Sequence, residues 1–234
     1  MSTLDHDFIQ QLAALGTPYP RLKWYIGAIV ALSALNYPEE IGPLYTCLLD
    51  KYIAPDDHYE QTRKIKEALV KACGLHGAAK TGNAMRALYA VTPAHLIDKT
   101  CYRENDVDDT AAYARGDEFL KSLYPDVPDL NTEDDFVRKT SPDYFHVVSR
   151  LFYPRIFSFN QILDKLESSQ AIVSSLIGID CTGQARNHMR GMMWNGATRD
   201  EVTMVRDVVV RIAERLGVQF KAGPIAVPEI PIFQ

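Results

Sequence analysis

The chain has 234 residues, 47% of them hydrophobic and 24% charged, which is typical of a globular domain with a sizeable core. Its net charge of −5 argues against a nucleic-acid or anionic-membrane surface, because such surfaces need clustered Lys and Arg. The first residues lack the pattern of a secretory or transit peptide, and no apolar run is long enough to span a bilayer. We therefore expect a cytoplasmic protein without nucleic-acid or membrane partners.

The cysteines and histidines show no ligand spacing. Cys47, Cys73, Cys101 and Cys181 form no Cys-x-x-Cys pair, and the six histidines form no His-x-x-x-His pair. This pattern predicts free thiols in a reducing compartment, no metal site and no cofactor.

The first part of the chain shows helical periodicity and no alternation long enough for a strand. Its apolar positions predict helices at residues 2–15, 21–35, 39–52, 59–73 and 78–89. The second of these is apolar on nearly every side, which is typical of a buried helix. Gly74 is expected to end the fourth.

The middle of the chain is acidic and polar. One helix is predicted at residues 109–123, followed by an exposed connector, because the run Tyr124-Pro-Asp-Val-Pro-Asp cannot be a regular helix. Ser141 is predicted as an N-cap with Pro142 in the first helical position. Residues 144–159 are rich in aromatic side chains, which predicts core or a subunit interface, and Pro154 should break or kink any helix there.

The last part contains the most informative stretch. After a helix at 162–179, a second helix bears Cys181, Gln184 and His188 at steps of three and four, so that they lie near one face. Gly196 can adopt the left-handed conformation of a tight corner, and Thr198 with Glu201 predicts a capping box. A final helix at 202–216, ended by Gly217, and an extended tail complete the chain.

The order of elements suggests an internal repeat. A first helical unit at 21–89 and a second at 144–217 each contain an apolar or part-apolar helix, a shorter helix and a longer one. The acidic connector at 98–143 joins them, and the tail occupies 218–234. We expect one all-α domain over residues 1–234, built around a pseudo-twofold axis.

Residues 186–201, Arg-Asn-His-Met-Arg-Gly-Met-Met-Trp-Asn-Gly-Ala-Thr-Arg-Asp-Glu, resemble the signature helix pair of the carboxymuconolactone decarboxylase family. Residues 65–85 resemble the same family's second-helix pattern, with Leu75-His76-Gly77 at its break. The resemblance implies an AhpD-like helical fold and a homo-oligomer such as a dimer, trimer or hexamer. It also implies either metal-free decarboxylation of an unsaturated lactone acid by proton transfer, or thiol peroxidase chemistry.

The peroxidase pattern of this family requires a Glu, a Cys-x-x-Cys pair and a His. Cys181 and His188 match the first Cys and the His, whereas Gln184 replaces the second Cys and Ser169 replaces the Glu. In the first unit, Leu44 takes the place of the His. A working dithiol peroxidase is therefore not expected.

Each candidate site residue has a functional and a structural interpretation. His188 would be a general acid or base, or a buried histidine bonded to a backbone carbonyl. Arg186 and Arg190 would clamp a substrate carboxylate, or form surface pairs with Asp180 or Glu201.

Gln184 would bind a ligand or fill the space of the missing thiol. Cys181 would be a reactive thiol or a small packing residue. Glu67, Cys73 and His76 form a secondary group, since Cys73 and His76 can touch if the helix continues that far, though a Cys–His nucleophile also needs an orienting third group.

Three functional hypotheses follow. The first is a decarboxylase-like lyase acting on a small carboxylated or lactone-like molecule, with His188 moving the proton. The second is a non-catalytic oligomeric scaffold that kept the fold and lost the chemistry. The third is a one-thiol peroxidase that uses Cys181.

Overall fold

The structure is a computed structural model that describes residues 3–230, and within that range it contains helices, turns and loops but no β-strand. The predicted all-α class is therefore confirmed. The expected helix start at Ser2 and the end of the expected tail, residues 231–234, lie outside the described residues.

The described range holds eleven α-helices. They are α1 (His6–Gly16), α2 (Trp24–Leu35), α3 (Ile41–Lys51), α4 (His58–His76), α5 (Ala78–Val91), α6 (Asp109–Leu123), α7 (Phe136–Thr140), α8 (Pro142–His146), α9 (Lys165–Gly178), α10 (Thr182–Trp194) and α11 (Arg199–Arg215). A π-helical segment, Val147–Phe157, follows α8, and short 3-10 turns occur at Pro38–Glu40, Pro55–Asp57, Ala94–Leu96 and Tyr102–Asn105.

Two buried helices, α2 and α9, form the centre of the fold and pack on each other. They approach closely through small residues. A Cβ atom on Gly178 would lie 2.7 Å from the Cβ of Ala34, and one on Gly27 would lie 3.0 Å from the hydroxyl of Ser174. In addition, α2 packs on α4 and α11, and α9 packs on α11 and α4.

Several helix boundaries differ from the prediction by a few residues, and two of these differences have a clear physical cause. The helix α4 continues through Gly74 and ends at His76, because Gly77, at φ +88°, is the residue that leaves the helical conformation. Gly74 instead makes room for the ring of Phe157, which would lie 2.9 Å from a Cβ at that position. The helix α9 begins at Lys165 rather than residue 162, because Asp164 and Glu167 form a capping box that the sequence analysis missed.

The acidic connector is not simply an exposed link. Its helix α6 buries Ala112, Phe119 and Leu123 and packs on both the π-helical segment and α10. At the contact with α10, a Cβ on Gly191 would lie 2.7 Å from the side chain of Leu123. Asn195, at the end of α10, donates a hydrogen bond to the carbonyl of Ser122. The connector therefore covers one side of the helix that carries the family-like motif.

The segment around Pro154 is neither broken nor regular α-helix. Pro154 lies inside the π-helical segment, where the wider turn accommodates a residue without an N–H donor. Ser141 precedes α8 as predicted, with Pro142 in the first turn, but its side chain makes no capping hydrogen bond. Both predicted positions are therefore confirmed, although Ser141 caps α8 without a side-chain hydrogen bond.

A buried charged network fixes the end of the π-helical segment. The ammonium of Lys71, fully buried, donates to the carbonyls of Ile156, Phe157 and Phe159 at 3.1, 3.0 and 2.6 Å. Glu67 lies 3.5 Å from this ammonium and accepts two hydrogen bonds from Arg103, at 2.8 and 2.6 Å. Every charge in this network has an opposite charge or a carbonyl as its partner.

The segment after α11 has no regular secondary structure up to residue 230. It lies along α11, where Arg206 donates to the carbonyl of Ile225 and Arg199 donates to that of Pro228. In residues 3–230, no helix combines the length and the hydropathy that crossing a membrane would require.

Candidate functional site

The site is built on α10 and the corner that follows it. Gly196 adopts φ +95°, and Thr198 and Glu201 form the reciprocal hydrogen bonds of a capping box at the start of α11. Glu201 also pairs with Arg21, which precedes α2, at 2.6 Å. The predicted helix–corner–helix is therefore confirmed, and it is anchored to the first half of the chain.

His188 is buried in the middle of α10, with 5% of its surface exposed. Its Nδ1 atom has no hydrogen-bond partner within the described part of the chain. Burial lowers the pKa of His188 to about 4, so the ring is neutral at neutral pH. A buried polar atom without a partner destabilises a fold by about 1–3 kcal/mol, and such atoms are often explained by a functional role or an absent ligand.

Tyr124, which follows α6, packs against this imidazole, and Tyr153 of the π-helical segment neighbours Tyr124. The ring of Tyr124 meets that of His188 edge-on, with 5.8 Å between centroids, and its hydroxyl donates to the Oε1 of Gln184 at 3.0 Å. Burial raises the pKa of Tyr124 to about 12 and that of the neighbouring Tyr153 well above its ordinary value. Both phenols are therefore protonated at neutral pH and can donate hydrogen bonds.

The two candidate clamp arginines have different surroundings. Arg190 forms an ion pair with Asp126 at 3.3 Å and its guanidinium lies 5.3 Å from the ring centroid of Trp194. Arg186 is exposed on the same helix. Neither pairs with Asp180 or Glu201. The connector residue Asp126 therefore holds the arginine that lies half-buried beside the site.

Cys181 precedes α10, and its side chain makes no hydrogen bond to Tyr124, Tyr153 or His188. It borders a small void together with Leu176, Ala185 and two residues of the tail, Phe220 and Ile225. Ser169, at the position of the family's Glu, is buried and donates to the carbonyl of Lys165 within its own helix. Leu44, at the position of the second His, is core. The structure thus brings Gln184 and His188 together through Tyr124 but places Cys181 under the tail.

The secondary group is divided between two environments. Glu67 belongs to the network with Lys71 and Arg103. Both ring nitrogens of His76 contact hydroxyls: Nε2 lies 2.9 Å from Ser33 and 3.0 Å from Thr81, and Nδ1 lies 2.9 Å from Ser175. Burial, with a smaller effect of Lys80, lowers the pKa of His76 to about 4. His76 therefore has its hydrogen bonds satisfied without Cys73, which is a free, half-buried thiol.

Sequence reasoning missed Tyr124 as the neighbour of His188, Tyr153 as the neighbour of Tyr124, and Asp126 as the partner of Arg190. Tyr124 and Asp126 were assigned to an exposed connector, and Tyr153 to a general aromatic core. Their chemistry gives no local signal, because they reach α10 only through the packing of α6 and the π-helical segment. Within residues 3–230, no cluster of His, Cys, Asp and Glu has a geometry suited to a metal ion.

The fold and this site define an all-α protein with a buried histidine–tyrosine cluster. No protein-family model matches the chain, and no solved structure matches it significantly. It is similar to Peroxisomal protein 2 of Schizosaccharomyces pombe, with 29% identity over 198 residues that cover 84% of this chain and 88% of the relative. It is also similar to Peroxisomal protein 2 of Saccharomyces cerevisiae, with 22% identity over 276 positions that cover 92% and 97% of the two chains.

Proposed function

We propose that this chain is a carboxymuconolactone decarboxylase-like enzyme that acts on a small carboxylated or lactone-like molecule by metal-free proton transfer at His188. The observation that carries the proposal is the buried imidazole whose Nδ1 has no partner, beside the protonated Tyr124 and Gln184. Perturbed titratable groups of this kind cluster at functional sites. The family resemblance of residues 186–201 supplies the class of reaction.

The packing of the helices supports an AhpD-like architecture of two related units. Exchanging α2, α3 and α4 with α9, α10 and α11 turns the contact of α2 with α11 into that of α9 with α4. The same exchange turns the contact of α2 with α4 into that of α9 with α11. The contact between α2 and α9 lies on the axis of this exchange. Under this relation His188 belongs to the unit that keeps the chemistry, and Leu44 to the unit that lacks it.

The low pKa of His188 fits a proton-transfer group that becomes protonated only when an anionic substrate binds beside it. In the free protein, burial keeps the ring neutral. A carboxylate that enters the cluster would favour the protonated imidazole and raise the pKa towards the neutral range, where acid–base catalysis is efficient. In a decarboxylation, the bond to the carboxylate carbon breaks, CO2 leaves, and the electron pair on the remaining carbon takes a proton from the imidazolium.

The substrate carboxylate needs a cation, and Arg190 is the half-buried candidate. It is held by Asp126 of the connector in this structure. We propose that the connector around Tyr124–Asp126 moves to admit the substrate and that Arg190 exchanges the Asp126 carboxylate for the substrate carboxylate. The substitution Asp126→Asn should then lower the KM at unchanged kcat, because it removes the competing anion.

The test uses an unsaturated lactone acid in deuterated buffer, with CO2 release and deuterium incorporation at the substrate carbon as readouts. Wild-type protein should produce both, and His188→Ala should reduce both by at least a hundredfold. His95→Ala, at an exposed histidine, is the matched control and should behave as wild type. Equal turnover by wild type and His188→Ala would exclude His188 as the proton-transfer group.

A non-catalytic scaffold is the second candidate, and the enclosed state of His188 with Arg190 already paired favours it. It predicts that no lactone or dicarboxylic acid shifts the NMR signal of the His188 ring. The enzyme hypothesis predicts a downfield shift of that signal and a raised pKa when the anion binds. Cys181, which borders a small void beneath the tail and makes no hydrogen bond to His188, gives the one-thiol peroxidase no comparable support.

We further propose that the chain works in peroxisomes and that it is a homo-oligomer. The names of the two relatives support the location, and the family resemblance supports the assembly. Co-localisation of a fluorescently tagged chain with a peroxisomal matrix marker tests the first, and light scattering of the purified protein tests the second. A diffuse cytosolic signal and a monomeric mass would contradict them.

A further inference from the structure

A cleft of about 370 Å³ lies between the middle of α4 and the residues that follow α5. It shares no lining residue with the His188 cluster. Two acids and four cations border it, so its net charge is positive although the whole chain carries −5. The charged residues are Arg63, Lys66, Glu67, Asp98, Lys99 and Arg103.

Both acids of the cleft are already neutralised. Asp98 pairs with Arg63 at 3.0 Å and accepts hydrogen bonds from Tyr102 and from the backbone N–H of Thr100. Glu67 accepts two hydrogen bonds from Arg103, which donates a third to the carbonyl of Arg155. Because both carboxylates already have cationic partners, they neutralise little of the charge of Lys66 and Lys99. The same contacts fix the positions of the side chains at the base of the cleft.

The other two cations of the cleft, Lys66 and Lys99, have no carboxylate within ion-pair distance among residues 3–230. Lys66 is half-buried, and burial, only partly offset by Asp98, lowers its pKa. A lysine that has lost solvent without gaining a direct counter-ion is stabilised when an anion binds beside it. Val70 and Ile162 supply apolar surface in the same cleft.

We propose that this cleft is a binding site for a small organic dianion, whose charged group contacts Lys66 and Lys99 and whose carbon skeleton packs on Val70 and Ile162. A dicarboxylate and a phosphate monoester both present this chemistry. The site is independent of the proposed activity at His188, because the two sites use different helices and different charges.

The test measures binding of phthalate, phenyl phosphate, inorganic phosphate and neutral benzyl alcohol by calorimetry. At least one of the two aromatic dianions should bind with a Kd below 1 mM, more tightly than inorganic phosphate, and benzyl alcohol should not bind. The stronger aromatic dianion identifies which charged group the site prefers. Binding should weaken with added salt, as expected for contacts between partly exposed charges.

Two variants assign the binding to the cleft. Lys66→Gln should weaken the aromatic dianion at least tenfold, and Lys51→Gln, at an exposed lysine of α3, should leave it unchanged. Because Cys101 is an exposed thiol that lines the cleft, the bound dianion should also slow its alkylation, while Cys47 is unaffected. The proposal is overturned if neither aromatic dianion binds, or if binding is equal in wild type and Lys66→Gln at unchanged Tm.

Discussion

Two histidines, the half-buried His76 at the end of α4 and the buried His188 within α10, have the same lowered pKa of about 4 but opposite hydrogen-bond environments. Hydroxyls occupy both nitrogens of His76, whereas Nδ1 of His188 has no partner among residues 3–230. The polar groups of α4, including Glu67 and Lys71, are similarly satisfied. Polar groups of the α4 region are thus satisfied by partners within the protein, whereas the unpartnered Nδ1 of His188 is the atom that, in the proposed function, meets a substrate.

The largest loss of folding stability is expected from a substitution in α4. Glu67→Gln leaves the fully buried Lys71 without its carboxylate, and should lower the free energy of unfolding by about 3–5 kcal/mol. Glu60→Gln is the matched control, since Glu60 pairs with Arg63 on the exposed side of the same helix and should cost less than about 1 kcal/mol. Urea unfolding measures both. Equal losses in the two variants would mean that the buried network does not stabilise α4.

The second prediction concerns acid pH. Because the folded pKa of His188, about 4, lies below its ordinary 6.5, the unfolded chain binds more protons between these values. Stability should therefore fall by about 3 kcal/mol for His188 as the pH drops from 6.5 to 4, with a smaller loss for the less buried His76.

This prediction is tested by the slope of the free energy of unfolding against pH. His188→Gln should remove its share of the pH dependence of unfolding between pH 6.5 and 4, and His95→Gln, at an exposed position, should leave the slope as in wild type. An unchanged slope in His188→Gln would show that the imidazole is not held neutral in the folded state.

The third prediction concerns a smaller effect on stability, and it compares His76 with His188 directly at pH 7. His76→Leu strips the hydroxyls of Ser33, Thr81 and Ser175 of a shared partner and should cost about 1–3 kcal/mol. His188→Leu removes an unsatisfied nitrogen and should leave stability unchanged or raise it, by at most about 1–3 kcal/mol. Thermal unfolding compares them. A larger loss for His188→Leu than for His76→Leu would reverse the assignment of the two regions.

The sequence was sufficient where the interactions are local. Gly196, Thr198 and Glu201 act on neighbours within a few residues, so the corner between α10 and α11 follows from their spacing alone. The same holds for the buried, apolar α2. Gly74 was misjudged because its role depends on Phe157, which is distant in the chain and not visible as a local signal.

The surroundings of the site could not be predicted for the same reason. Tyr124 and Asp126 follow a helix whose apolar face gives no indication of which partner it covers. Similarly, the spacing of Lys66 and Lys99 in the sequence does not predict a cleft. Both lysines line it only because the residues after α5 pack near α4. Local periodicity predicts the helices. The positions of these side chains depend on tertiary packing, which cannot be read from the periodicity of a single sequence.

The contact of Gly178 with Ala34 restricts which residues evolution can place at position 178. One added methyl group at position 178 has no space between the two central helices. It would push α9 away from α2 and, through α9, shift α10 relative to the connector that covers it. The 5.8 Å between the rings of His188 and Tyr124 thus depends on glycine at position 178, and we expect substitutions there to be tolerated as poorly as substitutions at the proposed site.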